Sequence, residues 1–230
     1  MARPRVLVTG FGPFPGAPEN PSASLAEVLG AVRWPGCELH AQVLPTEWEA
    51  VAALAPLLCT RLQPDVMIHL GLCQRAVGFR IERSAYNRIA PRADARAALP
   101  AFRHVVAQGP ARLDTRVPAA KVAAHLSAHG LPAASSRSAG RYLCNFLYYH
   151  SLAWAAAQQT TAPVALFVHI PKAAEQGGCL SDASLLYGAQ EVVRFVLAFA
   201  EEHKQEIQIS APATAATRWN ALLLAAKETR

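Results

Sequence analysis

The sequence lacks the features that would place it in a membrane, in a disulfide-stapled scaffold or among nucleotide-binding proteins. No run approaches the roughly 18 apolar residues that a membrane span needs, and the apolar stretch Val6–Thr9 is too short for a secretory signal. The five cysteines are odd in number and have no CxxC spacing, which argues against a disulfide framework or a cysteine-rich zinc site. The sequence contains neither a P-loop nor a GxGxxG string. We therefore expect a reduced, cytoplasmic protein that needs no metal and no cofactor.

Charged residues are also scarce, and they are unevenly distributed. They make up 17% of the 230 positions, whereas hydrophobic residues make up 52%, which is enough for a sizeable core. The net charge of +6 arises within residues 75–116, where nine arginines face three acids, while 13 basic and 13 acidic residues balance elsewhere. We interpret residues 1–230 as one domain, with residues 75–116 as a basic arm and residues 205–230 as a tail of unassigned role.

Short apolar runs alternate with segments whose apolar residues recur every three or four positions. The runs predict strands at Val6–Thr9, Leu39–Leu44, Val66–Leu70, Phe79–Glu82 and Val164–Val168. The spacing predicts helices from about Ser22, over Glu47–Leu62, Pro118–Gly130 and Tyr142–Ala157, from Asp182 to about Glu202, and at Trp219–Ala226, with a long loop at residues 87–117. This alternation predicts a three-layer α/β/α sandwich with a largely parallel, mixed central sheet of the phosphorylase or hydrolase type. Active sites in such folds lie at the carboxyl ends of strands, here after Thr9, Leu70, Glu82 and Val168.

A cysteine stands at the predicted start of one helix. Residues 136–145 read SRSAGRYLCN, so Cys144 follows a turn of small residues and opens the helix Tyr142–Ala157. The free N–H groups and partial positive charge of a helix N-terminus stabilise a thiolate, and they also stabilise the oxyanion of an acyl transfer. Cys144 is therefore a candidate nucleophile, although its position also suits a small buried side chain.

The candidate partners of this thiol are a histidine and a carboxylate. Among the eight histidines, His169 directly follows the strand Val164–Val168 and opens a Gly-rich loop, a usual location for a general base in an α/β enzyme. Glu82 lies within the basic arm and is a candidate to orient the imidazole and stabilise its charged form. Simpler interpretations are a backbone hydrogen bond for His169 and a surface ion pair with Arg80 or Arg83 for Glu82.

Four sequence motifs together resemble those of the pyroglutamyl peptidase I family, the C15 cysteine peptidases. Residues 136–145 match the family string Ser-x-Ser/Thr-Ala-Gly-x-Tyr/Phe-Leu-Cys-Asn at every defined position. The N-terminal, Glu and His motifs read VTGFGPF at 8–14, IERSAYN at 81–87 and VHIP at 168–171. The order of the three motif residues along the chain also agrees, and the resemblance spans about residues 5–200.

This resemblance implies a reaction and a set of partners. The reaction is hydrolysis of an N-terminal pyroglutamyl (5-oxoprolyl) residue from peptides, with Cys144, His169 and Glu82 acting through a thioester. Pyroglutamyl peptides are the implied partners, together with further copies of the chain in a dimer or tetramer. Two positions need comment. Arg80 replaces the usual Ser or Thr two residues before the glutamate, and Arg92 falls where many bacterial members have an arginine, although its neighbours differ.

The substrate ring sets a separate recognition problem. A pyroglutamyl ring is small, flat, mostly apolar and without an ammonium group, so a carboxylate anchor would be left unpaired. Phe11 and Phe14, on the loop after the first strand, are candidates to sandwich the ring, which the family resemblance also implies. Arg92 is a candidate to bind substrate carbonyls. Either phenylalanine is also suited to anchoring the loop in the core.

Two other functions remain open from sequence. A nucleoside-phosphorylase-like enzyme has a related α/β architecture, and the arginines of the basic arm suit phosphate, but this interpretation leaves the Cys144 motif unexplained. A nucleic-acid-binding module would use the same arm, which has no lysine and only three aromatic residues. We therefore predict a peptidase without a nucleic-acid or membrane partner.

Overall fold

The computed structural model describes residues 3–158 and 163–210 of the chain. The strands are β1 (Arg5–Phe11), β2 (Glu38–Leu44), β3 (Val66–Leu72), β4 (Phe79–Glu82), β5 (Ser84–Tyr86), β6 (Arg112–Asp114), β7 (Ala133–Ser136) and β8 (Val164–Ile170). The helices are α1 (Pro21–Ala31), α2 (Trp48–Leu62), α3 (Ala119–Ala128), α4 (Leu143–Ala157) and α5 (Asp182–Ser210). The helix predicted at Trp219–Ala226 lies outside the described residues.

The central sheet has six strands in the order β2-β1-β3-β8-β4-β7. The first four are mutually parallel, β4 is antiparallel to β8, and β7 is parallel to β4. The apolar strands β3 and β8 lie at its centre, as expected for strands that are covered on both faces. The predicted largely parallel, mixed sheet is confirmed.

Helices cover both faces of this sheet, because successive strand residues point to opposite sides. On one face, Val6 and its neighbours pack with α1, α3 and α5, for example against Leu29 and Val193. On the other face, Leu7 and its neighbours pack with α2 and α4, for example against Phe146. The helices thus form the two outer layers of the predicted sandwich, and one hydrophobic cluster lies between the sheet and each layer.

The basic arm is more ordered than the predicted loop. Strands β5 and β6 pair as a separate two-stranded antiparallel sheet, and side chains fasten the residues between them. Asn87 accepts a hydrogen bond from the N–H of Val106 at 2.9 Å, and the buried Asp94 carboxylate accepts one from the N–H of Trp48 at 2.9 Å. The arm is thereby held against the start of α2.

Helix α5 extends to Ser210, beyond its predicted end near Glu202. By length and composition alone, its segment Asp182–His203 is apolar enough to cross a membrane. Leu185, Val192 and Val196 of this segment are fully buried in the hydrophobic cluster that includes the sheet. Their packing explains the apolar composition of the helix, since core helices pass the same test.

Candidate active site

Cys144 is the second residue of α4 and is partly exposed at its N-terminal end. The turn before it contains Gly140, whose φ of 84° lies in the left-handed region that glycine adopts without strain. The first helical hydrogen bond runs from Phe146 N–H to Tyr142 O at 3.0 Å. The N–H groups of the first turn precede this ladder, so they point out of the helix end next to the thiol.

Strand β3 passes close beside the thiol, and a glycine permits this approach. A Cβ atom added to Gly71 would lie 3.1 Å from the Cys144 Sγ atom and 2.7 Å from the Phe167 ring. Gly71 is also the parallel pairing partner of His169 in β8. The absence of a side chain at Gly71 therefore leaves room for the thiol beside the two central strands.

His169 lies next to both a carboxylate and the thiol. Its Nδ1 atom is 2.8 Å from Glu82 Oε1, and the Cys144 side chain acts on the same ring. Because an ionised carboxylate only accepts hydrogen bonds, Nδ1 carries a proton and Nε2 is the nitrogen left for the thiol. The thiol, the imidazole and the carboxylate thus form one interacting group.

These contacts set the charge of the imidazole. Burial lowers the pKa of His169, but the hydrogen bonds with Cys144 and Glu82, together with their charges, outweigh burial and raise the pKa to about 10. The imidazole is therefore protonated at neutral pH, which suits an ion pair with a thiolate.

The buried His69 and the partly buried His150 show what loss of solvent does to a histidine without a charged partner. Burial lowers the pKa of His69 to about 3 and that of His150 to about 4. The ring of His69 lies between two hydroxyl groups, with Thr9 Oγ1 at 2.8 Å from Nδ1 and Ser151 Oγ at 2.8 Å from Nε2. These neutral rings are suited to structural hydrogen bonding, and His169 differs from them through its charged neighbours.

Glu82 reaches the histidine from a strand that runs in an unexpected direction. The sequence argument places Glu82 at the same sheet edge as His169, because it treats both as strand ends. In the structure β4 is antiparallel to β8, and Glu82 pairs with Phe167, whereas Arg80 pairs with His169. The carboxylate therefore approaches the ring from the neighbouring antiparallel strand, and that part of the expectation was wrong.

The Glu82 side chain is fully buried, and few polar groups contact its carboxylate. Its Oε2 atom has no hydrogen-bond partner, and Arg80 Nε lies 3.8 Å from Oε1. The ion pair with Arg80 considered from sequence is thus present, but only the arginine is exposed. A buried carboxylate with so few partners is costly unless a close cation compensates it. Protonated His169 supplies that cation.

All six residues singled out from the sequence line one cavity of about 520 Å³. They are Phe11, Phe14, Glu82, Arg92, Cys144 and His169. Cys73, Arg80 and Tyr142 also line it. The cavity joins the N-terminal loop, the end of α4 and the end of β8, so a substrate within it can touch all three.

Phe11 is the last residue of β1 rather than part of the loop after the first strand, where the sequence analysis places it, whereas Phe14 does lie on that loop. Side-chain hydrogen bonds hold this segment in place. Asn20 donates a hydrogen bond to Gly12 O at 3.0 Å, and Ser22 Oγ accepts one from Phe11 N–H at 3.0 Å. Phe11 is 3% exposed and belongs to a hydrophobic cluster, whereas Phe14 is half-buried. Phe11 therefore combines the two interpretations, since it anchors the loop and also lines the cavity.

Arg92 lies at the exposed rim of the cavity. Its guanidinium carbon is 4.7 Å from the centroid of the Tyr142 ring, a cation–π arrangement. Burial raises the pKa of Tyr142, and the Arg92 charge partly offsets this rise. The backbone of Arg92 is held by Trp48, whose Nε1 donates to Arg92 O at 3.0 Å.

Two residues that hold the Glu82 segment are missing from the sequence prediction. Asn145 accepts the N–H of Tyr86 at 2.7 Å and donates to its carbonyl at 2.8 Å. Tyr148 donates a hydrogen bond to the carbonyl of Glu82 at 2.9 Å. Asn145 follows the cysteine in the motif of residues 136–145, which was the only signal in the sequence for its role. Both residues fix β4 and β5 against α4.

Cysteine-type hydrolases share this arrangement, in which a thiol beside a helix N-terminus is followed by an imidazole and then by a buried carboxylate. The sequence profile of pyroglutamyl peptidases matches residues 4–195. The chain belongs to the pyroglutamyl peptidase family.

Relatives agree with this assignment. The pyrrolidone-carboxylate peptidase of Pyrococcus furiosus is 32% identical over 75% of this chain and 83% of its own length. The pyrrolidone-carboxylate peptidase of Chromobacterium violaceum is 36% identical over 74% of this chain and 79% of its own length. A solved structure of a P. furiosus pyrrolidone carboxyl peptidase variant superposes with a TM-score of 0.80 at 28% identity, covering 85% of this chain and 99% of that one. The structure of pyroglutamyl peptidase I from Bacillus amyloliquefaciens superposes with a TM-score of 0.77 at 27% identity, covering 86% of this chain and 98% of that one.

Proposed function

We propose that Cys144, His169 and Glu82 are the catalytic residues with which this cysteine peptidase removes N-terminal pyroglutamyl residues from peptides. The observation that carries the assignment is the series from the thiol through the imidazole to the buried carboxylate. Family membership decides against the nucleoside-phosphorylase alternative, which also leaves the thiol without a role.

The acylation half-reaction follows from this geometry. The Cys144 thiolate attacks the pyroglutamyl carbonyl carbon, and N–H groups at the start of α4 stabilise the oxyanion. Protonated His169 then donates its Nε2 proton to the leaving amine as the C–N bond breaks. The products of this step are a thioester on Cys144 and the shortened peptide with a free N-terminus.

The deacylation half-reaction uses the same groups. Neutral His169 takes a proton from water, which attacks the thioester and releases pyroglutamate and the thiolate. Throughout both steps Glu82 holds Nδ1 and stabilises the imidazolium, which lies closer to the buried carboxylate than Arg80 does.

The function itself is tested with a pyroglutamyl-aminomethylcoumarin substrate. We expect release of the fluorophore by the full chain, loss of release after thiol alkylation and no effect of chelators on turnover. An alanyl-aminomethylcoumarin substrate serves as the control, because its ammonium group would face the Phe11 and Phe14 rings and the Arg92 guanidinium that line the cavity. Phosphate-dependent release of a base from nucleosides would instead support the phosphorylase alternative.

Recognition of the ring is assigned to Phe14, Phe11 and Arg92. The half-buried Phe14 can be truncated with little loss of packing, so Phe14→Ala is expected to reduce kcat/KM by about tenfold while the fold stays intact.

Arg92→Ala is expected to raise KM with kcat less affected, because it removes a rim contact to substrate carbonyls. Steady-state kinetics and thermal unfolding measure both variants. Normal kinetics for either variant would remove that residue from the substrate site.

The cytoplasm and a homo-oligomer are the proposed setting. All five cysteines are free, as in a reducing compartment. Three large exposed hydrophobic side chains of the described residues lie within the basic arm, namely Val77, Leu99 and Phe102. Exposed apolar side chains that adjoin one another commonly mark a contact between proteins. These side chains support the basic arm as the contact to a second copy of the chain.

A further inference from the structure

A second cluster of ligand-bearing side chains lies between α3 and α5. His125 lies in the last turn of α3, His129 caps the C-terminal end of that helix four residues later, and Glu191 of α5 meets both side chains. One nitrogen of each histidine and one carboxylate oxygen lie within 4.8 Å of one another. None of the three residues lines the cavity that contains Cys144. The cluster is therefore independent of the proposed catalytic site.

The His129 ring is oriented as a metal ligand requires. His129 Nδ1 lies 2.8 Å from the carbonyl oxygen of His125, and because a carbonyl only accepts, Nδ1 carries the proton. The lone pair of the neutral ring is then on Nε2, which is 3.7 Å from Glu191 Oε2. A backbone carbonyl that fixes the tautomer in this way is the usual outer partner of a metal-binding histidine.

Two of the three separations between the donor atoms are close to those around a tetrahedral cation. His125 Nε2 is 2.9 Å from Glu191 Oε2, and His129 Nε2 is 3.7 Å from the same atom. Ligand bonds of about 2.0–2.1 Å around tetrahedral zinc place donor atoms about 3.3 Å apart. Shifts of a few tenths of an ångström would bring both separations to this value.

The carboxylate is also prepared for a cation. Glu191 is 7% exposed, and Arg194 binds its Oε1 atom, which leaves Oε2 to the histidines. An ion pair alone explains His125 and Arg194. It does not explain His129, whose Nε2 is beyond hydrogen-bond distance of the carboxylate.

We propose that His125, His129 and Glu191 form a site for a zinc-type divalent cation that joins α3 to α5. Two imidazoles and one carboxylate are a ligand set that zinc accepts, with water as the fourth ligand. His129 is partly exposed, which gives the cation and the water a path from solvent. The prediction of no metal rests on the cysteine spacing, and no local pattern joins His125 to Glu191, which lies 66 residues further along the chain.

The test is calorimetric titration of the full-length chain with ZnCl₂. Because zinc also binds thiols, the titrations use the Cys144→Ala chain with its remaining accessible thiols alkylated. We expect one zinc ion per chain and a loss of affinity of about tenfold or more in His129→Ala and in Glu191→Gln, since one of three protein ligands is removed. His40→Ala is the matched control, because His40 also pairs with a glutamate, at 3.1 Å from Glu38, and it should leave the affinity unchanged.

A spectroscopic titration with CoCl₂ separates this site from residual binding elsewhere. Tetrahedral Co²⁺ with nitrogen and oxygen ligands gives visible d–d bands without thiolate charge-transfer absorption, and these bands should disappear in His129→Ala. Thermal unfolding without metal verifies that each variant is folded. The proposal would be overturned if the parent chain did not bind zinc. It would also be overturned if His129→Ala and Glu191→Gln bound zinc with the same affinity as the parent chain.

Discussion

Replacement of Cys144 by alanine is expected to reduce hydrolysis of a pyroglutamyl-aminomethylcoumarin substrate by about 10⁴-fold or more. Without the thiol no thioester forms, and loss of a nucleophile costs an enzyme of this kind most of its rate enhancement. The KM should change little, because Phe11, Phe14 and Arg92 remain in the cavity. Steady-state assays at enzyme concentrations high enough to detect the residual rate measure both constants.

Cys144→Ser extends this experiment by replacing the sulfur with oxygen. A serine hydroxyl has a much higher pKa than a thiol, so an imidazolium beside it would not generate an anion, and turnover should also be lost. Cys73→Ala is the matched control, because Cys73 is a free cysteine that lines the same cavity. Full turnover by Cys144→Ser, or a loss confined to the Cys73 variant, would refute the assignment of the nucleophile.

Most of the sheet could be predicted because its central strands are short, continuous apolar runs. Val66–Leu70 and Val164–Val168 fall inside β3 and β8, which are covered on both faces and therefore need apolar residues throughout. The small-residue turn that ends at Gly140 likewise predicts where α4 begins. In these segments the local pattern and the tertiary environment impose the same requirement, which makes the sequence informative.

The direction of β4 could not be predicted in this way. A strand of four residues alternates identically when it is read in either direction, so its orientation depends on partners that are distant in sequence. The side-chain contact between Glu82 and His169 spans 87 positions, and no local pattern encodes it. The motif resemblance brought both residues to attention, whereas only the structure gives the antiparallel route by which they meet.

The acids of the basic arm show a second limit of sequence reasoning. A carboxylate among arginines suggests a solvated ion pair, yet Asp94 is buried and accepts backbone N–H groups, one of them from Trp48 at the start of α2. Glu82 is buried for a different reason, since it faces an imidazolium. Both burials depend on donors supplied by other elements, and composition does not report those donors.

Replacement of Glu82 by glutamine is expected to lower kcat by about 10²-fold or more and to shift the alkaline limb of the pH–rate profile to lower pH. Glutamine can still accept a hydrogen bond from Nδ1, but it carries no charge to stabilise the imidazolium. The pKa of His169, which burial lowers and the contacts with Cys144 and Glu82 raise to about 10, should therefore fall. Activity that depends on protonated His169 then ends at a lower pH, as profiles of kcat/KM against pH would show.

The same substitution should change how stability depends on pH, and the sign follows from the raised pKa. A histidine whose pKa is about 10 in the folded chain, against about 6.5 when unfolded, stabilises the fold fully below the lower value. This contribution is lost as the pH rises through the higher value. In Glu82→Gln the contribution shrinks, so the free energy of unfolding from urea titrations should vary less across this interval. Glu191→Gln is the matched control, because Glu191 is also buried and hydrogen-bonded to a histidine, but lies outside the cavity. If both variants kept the pH dependence of stability and the alkaline limb of the pH–rate profile of the parent chain, Glu82 would not be the group that stabilises the charge on His169. The thiolate alone would then have to stabilise it.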